Sequence, residues 1–168
     1  MTKRDVMINI TTVRSEVAED LFSWDESEVL EPEEGDFADD PAELLVEGRL
    51  VTGKKRVELI YEESELTGMA GSVTVIGFDR DTPGLLSMMR NGPVETALVF
   101  EEGKRHFSVY NTPYSDFQVG IYTMQVKNSL LETGTLYLDY LVELRGAKAE
   151  RCRMTVTVKK DTALETGL

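Results

Sequence analysis

Apolar and polar residues alternate along most of this chain, and turn-forming residues interrupt the alternation about every ten positions. Alternation with a period of two sends successive side chains to opposite faces of a strand, so the pattern predicts an all-β fold. The first strand falls on "VMINITTV" (Val6 to Val13), with Val6, Ile8 and Ile10 on one face. "LLVEGRLV" (Leu44 to Val51) and "RVELIYEE" (Arg56 to Glu63) follow, joined by the short loop Thr52 to Lys55. "GSVTVIGF" (Gly71 to Phe78) comes next, then a loop by composition, "DRDTPG". "LLSMMR" and "VETALVF" flank Asn91-Gly92, a dipeptide that tolerates positive φ and so predicts a tight hairpin. "RHFSVYN" (Arg105 to Asn111) ends near Pro113, which cannot donate to a ladder. Three long strands finish the chain: Phe117 to Asn128, Thr135 to Leu144 and Glu150 to Lys160. In the last of them Cys152, Met154, Val156 and Val158 share one face, while arginines, threonines and a lysine take the other. One buried and one wet face is the signature of an antiparallel sheet.

Roughly eight to ten strands in sequential hairpins must either close on themselves or split into two sheets. Closure removes exposed edges, so the expected fold is a closed antiparallel up-and-down barrel. The 168 residues suit a single domain with one core. One stretch breaks the pattern. Residues 15–43 hold 13 acidic residues and no Lys or Arg, which equals the whole net charge of −13. Taking those 13 from the 31 acidic residues leaves 18, against 18 basic ones, so the remainder is neutral. The expectation is a neutral barrel with an acidic insertion at 15–43 between its first two strands and a short flexible tail at 161–168. The insertion carries the only tryptophan, Trp24, beside Phe22.

Charge and composition narrow the function. No basic face is available to neutralise nucleic-acid phosphates. No apolar run approaches the ~18 residues of a membrane helix, and the N-terminus lacks a signal peptide's apolar core. A cytoplasmic protein with no nucleic-acid or membrane partner is expected; the oligomeric state stays open. With one His and one Cys, no usual zinc set can form, so neither metal nor cofactor is expected.

The candidate chemistry is sparse. "YEESELTG" packs Glu62, Glu63 and Glu65 beside Tyr61. Paired carboxylates can do acid/base work; the plainer reading is a strand exit and turn with solvated carboxylates. A third reading is structural: a rim Glu capping backbone N–H groups or pairing with a basic side chain across the sheet. His106 shares a face with Ser108 and Tyr110 and reads as a polar-face or rim histidine. Cys152 reads as a small core residue. "NTPYSDFQVGIYT" supplies Tyr114, Phe117 and Tyr122, which would form either a lip over a cavity or a plug of the barrel end. Met88 and Met124 offer adaptable apolar volume for a cavity or for plain core filling.

The order of "YEESELTG", "SVTVIGF", "HFSVYNTPYSDFQVGIYT" and a long final hairpin resembles the YwiB-like family over Val6 to Val13 and Leu44 to Lys160. That resemblance implies a bacterial barrel of lipocalin-like (calycin-like) fold and unknown function, and it brings no catalytic residues. The segment from Arg14 to Glu43 departs from the family's shorter link. The expected function is a non-enzymatic binding module for a small, mainly apolar ligand, held by Tyr61, Met88, Tyr114, Phe117, Tyr122 and Met124. The alternative is a protein–protein interaction module that docks a basic partner through the acidic insertion, with Phe22 and Trp24 as anchors. A hydrolase-type enzyme using Glu62, Glu63 or Glu65 has the least support, because no constellation has catalytic spacing.

Overall fold

The computed structural model describes residues 1–16, 41–63, 70–144 and 149–160. Ten strands and one short helix make up these residues. They are β1 (Thr2–Glu16), β2 (Ala42–Thr52), β3 (Arg56–Glu62), β4 (Val73–Asp79), β5 (Leu85–Asn91), β6 (Thr96–Glu101), β7 (Arg105–Asn111), β8 (Asp116–Ser129), α1 (Leu130–Thr133), β9 (Thr135–Leu144) and β10 (Glu150–Lys160). All pair antiparallel in the order β6-β5-β4-β3-β2-β1-β10-β9-β8-β7. β1 and β10 join the two halves over the long register Val6↔Lys160 to Glu16↔Glu150. The two end strands, β6 and β7, meet at the Glu95↔Asn111 bridge, where each residue's N–H bonds the other's carbonyl at 2.9 and 2.8 Å. The sheet is thus a nearly closed up-and-down barrel, the expected class.

Several local expectations change. β1 runs on to Glu16 and β2 starts at Ala42, so both flanks of the acidic segment belong to strands. Residues 17–40, with Phe22 and Trp24, lie outside the described residues, as do Glu65 and the tail 161–168. The β5–β6 hairpin is present, but Asn91-Gly92 is not its two-residue turn. The last pair is Arg90↔Thr96, and of the two only Gly92 takes a positive φ (143°). Pro93, next to Gly92, fixes its own φ and lengthens the loop. The α1 turn, not foreseen, closes on Gly134 in the left-handed conformation (φ 77°), where its N–H bonds the Leu130 carbonyl.

The interior is layered. Cross-strand partners place Val57, Phe78, Leu86 and Phe100 in one row. Leu50, Leu59, Ile76, Met88 and Leu98 form the next. These side chains are buried and merge with Val6, Ile8, Ile10, Leu136, Leu138, Met154 and Val156 into one core. Leu130 of α1 is buried in the same core, at the end where β8 turns into β9. The opposite end is where β1, β3 and β9 finish and where β10 starts. The strand ends leading into residues 17–40, 64–69 and 145–148 all lie there.

Candidate functional site: a polar layer at the barrel mouth

Above the apolar rows the inward positions turn polar. Tyr61, Thr74, Arg90 and Thr96 are successive partners across β3 to β6. On the other half of the barrel Arg14, Cys152 and Tyr140 are successive partners across β1, β10 and β9. Arg90 of the first arc and all three residues of the second line a cavity of about 330 Å³ at the mouth. Its walls are mainly apolar: Leu98, Phe117, Val119, Ile121, Val142 and Leu144. Its polar lining is Arg14, Arg90, Tyr110, Thr112, Tyr140, Glu150 and Cys152. The volume is at the low end of the ~300–1,000 Å³ typical of small-molecule sites.

The charges of the first arc are paired, although the buried Thr96 hydroxyl has no hydrogen-bond partner among the described residues. Glu63, just past β3, extends the ladder by donating its N–H to the Ser72 carbonyl at 2.8 Å. Its Oε1 accepts from Thr74 Oγ1 at 2.6 Å and from Arg90 Nε at 3.4 Å. Arg90 also donates through Nη1 to the Tyr110 hydroxyl at 3.5 Å and contacts Met88 Sδ through Nη2. The Glu63 and Arg90 side chains are 2% and 13% exposed. Burial raises the Tyr61 hydroxyl above its ordinary pKa, and the neighbouring Glu63 charge raises it further. Of the three readings of the Glu cluster, the structure matches the structural one for Glu63, which is paired rather than solvated. Glu62 is exposed, on the opposite strand face, so the two carboxylates do not converge.

The second arc is less complete. Burial keeps Tyr140 protonated, and its hydroxyl meets the Cys152 thiol. Its ring packs edge-on against Phe100, with centroids 4.8 Å apart. Burial pushes the Cys152 thiol up to about 11, against the pull of Arg14. Arg14, exposed at the rim, forms no ion pair with a carboxylate among the described residues.

The residues expected to hold a ligand are dispersed. Phe117 lines the cavity. Tyr61 and Met88 face inward but belong to the packed interior. Tyr114 is 96% exposed on the β7–β8 turn. Tyr122 and Met124 point outward and pack on Leu141 and Ala149 in a second small cluster, with Arg105 over the Tyr122 ring at 5.5 Å. The reason is the phase of β8: Val119, Ile121 and Thr123 are buried on its inner side, which leaves Tyr122 and Met124 outside. A register shift between Thr123 and Gln125 then returns Val126 to the core. His106 Nε2 lies 3.1 Å from Glu101 Oε1. Among the described residues no group of three His, Cys, Asp or Glu side chains could hold a metal ion, and no helix is long and apolar enough to cross a membrane. The residues missed were Arg14, Arg90, Tyr110 and Tyr140. The usable signal was that Arg14 continues the face of Val6, Ile8 and Ile10, and Arg90 that of Leu86 and Met88.

Ten antiparallel strands around one core, plugged by Leu130 at one end and lined by polar residues at the other, define a small barrel of lipocalin-like architecture. The chain belongs to the family described as "Domain of unknown function (DUF1934)", whose model matches residues 28–156. A search of solved structures finds the YwiB protein from Bacillus subtilis. It is 15% identical, with a TM-score of 0.62 over 92% of each chain, and so shows the fold. No curated protein matches the chain.

Proposed function

We propose that the barrel is a non-enzymatic binding module for a small, mainly apolar ligand taken up at the mouth. The observation that carries this reading is the cavity itself: about 330 Å³ with apolar walls, at the end opposite Leu130. A few polar groups set in an apolar pocket orient a ligand, while the walls supply affinity by burial. Titration of the full chain with octan-1-ol, followed by two-dimensional NMR, tests it. Shifts confined to Leu98, Phe117, Val142 and Leu144 are expected, and Val142→Trp should abolish them by filling the space. Unchanged spectra at saturating alcohol refute the reading.

A second reading keeps the acidic segment as a docking site for a basic protein. Its support is the concentration of the net charge in residues 15–43, whose flanks Glu16 and Ala42 are anchored in β1 and β2. Because those flanks are strand residues, the clean deletion replaces only 17–40 with a flexible linker. A pull-down that returns the same partners before and after the replacement removes this reading.

A further inference from the structure

The polar lining of the mouth is rich in donors and short of acceptors. Tyr140 and Cys152 both retain their protons at neutral pH. The Tyr110 hydroxyl accepts from Arg90 at 3.5 Å. Arg90 has its counter-charge in Glu63. Arg14 has none among the described residues, and it stands in register with Cys152 on the same wall as Tyr140. Glu150 is the one carboxylate in the lining, and it makes no ion pair among the described residues. A cavity of about 330 Å³ holds about eleven water volumes at ~30 Å³ each, so its occupant has on the order of ten non-hydrogen atoms.

From this arrangement we propose that the ligand is a short amphiphilic carboxylate: its tail lies on the apolar walls and its head group meets Arg14, with the Tyr140 hydroxyl beside it. The inference rests on the apolar-ligand reading above and goes further by fixing the charge of the head. A carboxylate satisfies several donors at once, and charge-assisted hydrogen bonds of this kind are stronger than neutral ones. An amine head would face a cation with only Glu150 to receive it. An alcohol head would accept one bond and leave the guanidinium unmatched.

The probes are octanoate, octan-1-ol and octylamine, matched in tail length, titrated into the full chain at low ionic strength. Octanoate should bind more tightly than the alcohol, and the amine most weakly. Arg14 is exposed, so Arg14→Gln leaves the fold intact. It should weaken octanoate by about three- to fivefold, the range of one partly exposed ion pair, and leave octan-1-ol unchanged. Glu150→Gln removes the repelling carboxylate and should strengthen octanoate. Added salt should weaken octanoate alone. Equal affinity for octanoate and octan-1-ol, insensitive to Arg14→Gln and to salt, overturns the anionic head while leaving the apolar pocket standing. Binding of none of the three overturns both.

Discussion

Replacing Glu63 with alanine removes a carboxylate that accepts from Thr74 at 2.6 Å and Arg90 at 3.4 Å in the mouth layer. Cutting one partner from a buried ion pair costs ~3–5 kcal/mol when the other charge is left dry. Here the stranded partner is Arg90, 13% exposed and facing a cavity large enough for water. Rehydration therefore lowers the expected cost of Glu63→Ala to about 1.5–3 kcal/mol. The reverse change, Arg90→Ala, strands Glu63, whose side chain is only 2% exposed, with only the neutral Thr74 and Tyr61 hydroxyls left as side-chain donors. It should cost more, about 3–4 kcal/mol. The double variant removes both charges, so its loss should fall short of the sum by about 1–3 kcal/mol.

Urea unfolding of the four proteins at pH 7 measures this cycle. For a domain of this size ~1 kcal/mol moves the melting temperature by about 2–4 °C, so Glu63→Ala should melt about 3–12 °C lower. If the two single losses add within about 0.5 kcal/mol, the residues do not act as a pair. If Glu63→Ala costs more than Arg90→Ala, the argument from exposure and the cavity is wrong.

Three further changes probe other parts of the barrel. A Cβ on Gly48 would clash with Ile8 Cδ1 and lie 2.6 Å from the Ile60 carbonyl oxygen; since the backbone atom cannot swing away, Gly48→Ala should cost about 1–3 kcal/mol in denaturant titration. Because the Cys152 thiol titrates at about 11, its alkylation by iodoacetamide, read by intact mass, should keep accelerating about tenfold per pH unit from pH 7 to 10, and a plateau near 9 contradicts the burial argument. Burial holds the Glu143 carboxyl above its ordinary value of 4.5, against the opposing pull of Arg105 at 3.0 Å. The folded chain therefore keeps that proton to higher pH than the unfolded chain. The stabilisation is complete below the unfolded value and is lost as pH rises through the folded one. Glu143→Gln lacks this loss, so the stability of wild type relative to the variant should fall between pH 4 and pH 7 in paired urea titrations.

The strands that the sequence made legible are those with one apolar and one polar face. In β10 the Cys152–Met154–Val156 face is the buried one, and in β3 Val57, Leu59 and Tyr61 alternate inward as the pattern requires. The misleading strands have both faces occupied. In β8 the outer Tyr122 and Met124 are as apolar as the inner Val119 and Ile121, because that wall carries a cover of its own. Arg105 bonds Glu143, Arg151 bonds Asp139, and Leu141 and Ala149 lie beneath. In β7 the pattern is inverted: Phe107 and Val109 are exposed, whereas His106, Ser108 and Tyr110 are half-buried on the inner side. Alternation gives the two faces but not which one is inside; that needs the register with β6 and β8, and the register is a property of the closed sheet.

Arg14 was hidden for a different reason, and its position bears on how the two arcs of the mouth divide their work. Read alone, β1 ends at Val13, where the apolar alternation stops and the acidic run is about to begin. Pairing with β10 carries it on to Glu16, and this extension turns Arg14 from the first residue of an insertion into a rim residue of the cavity. On the β3–β6 arc each charge has its opposite: Glu63 and Arg90 hold each other, with Thr74 and Tyr110 around them. That arc is settled before any ligand arrives and contributes rigidity. On the β1–β10–β9 arc the guanidinium of Arg14 and the protonated Tyr140 and Cys152 offer donors, with Glu150 the one carboxylate in the lining and no ion pair made among the described residues. A group that enters the mouth therefore finds its chemistry on the second arc, where the order of Arg14, Cys152 and Tyr140 is fixed by the register of β1, β10 and β9.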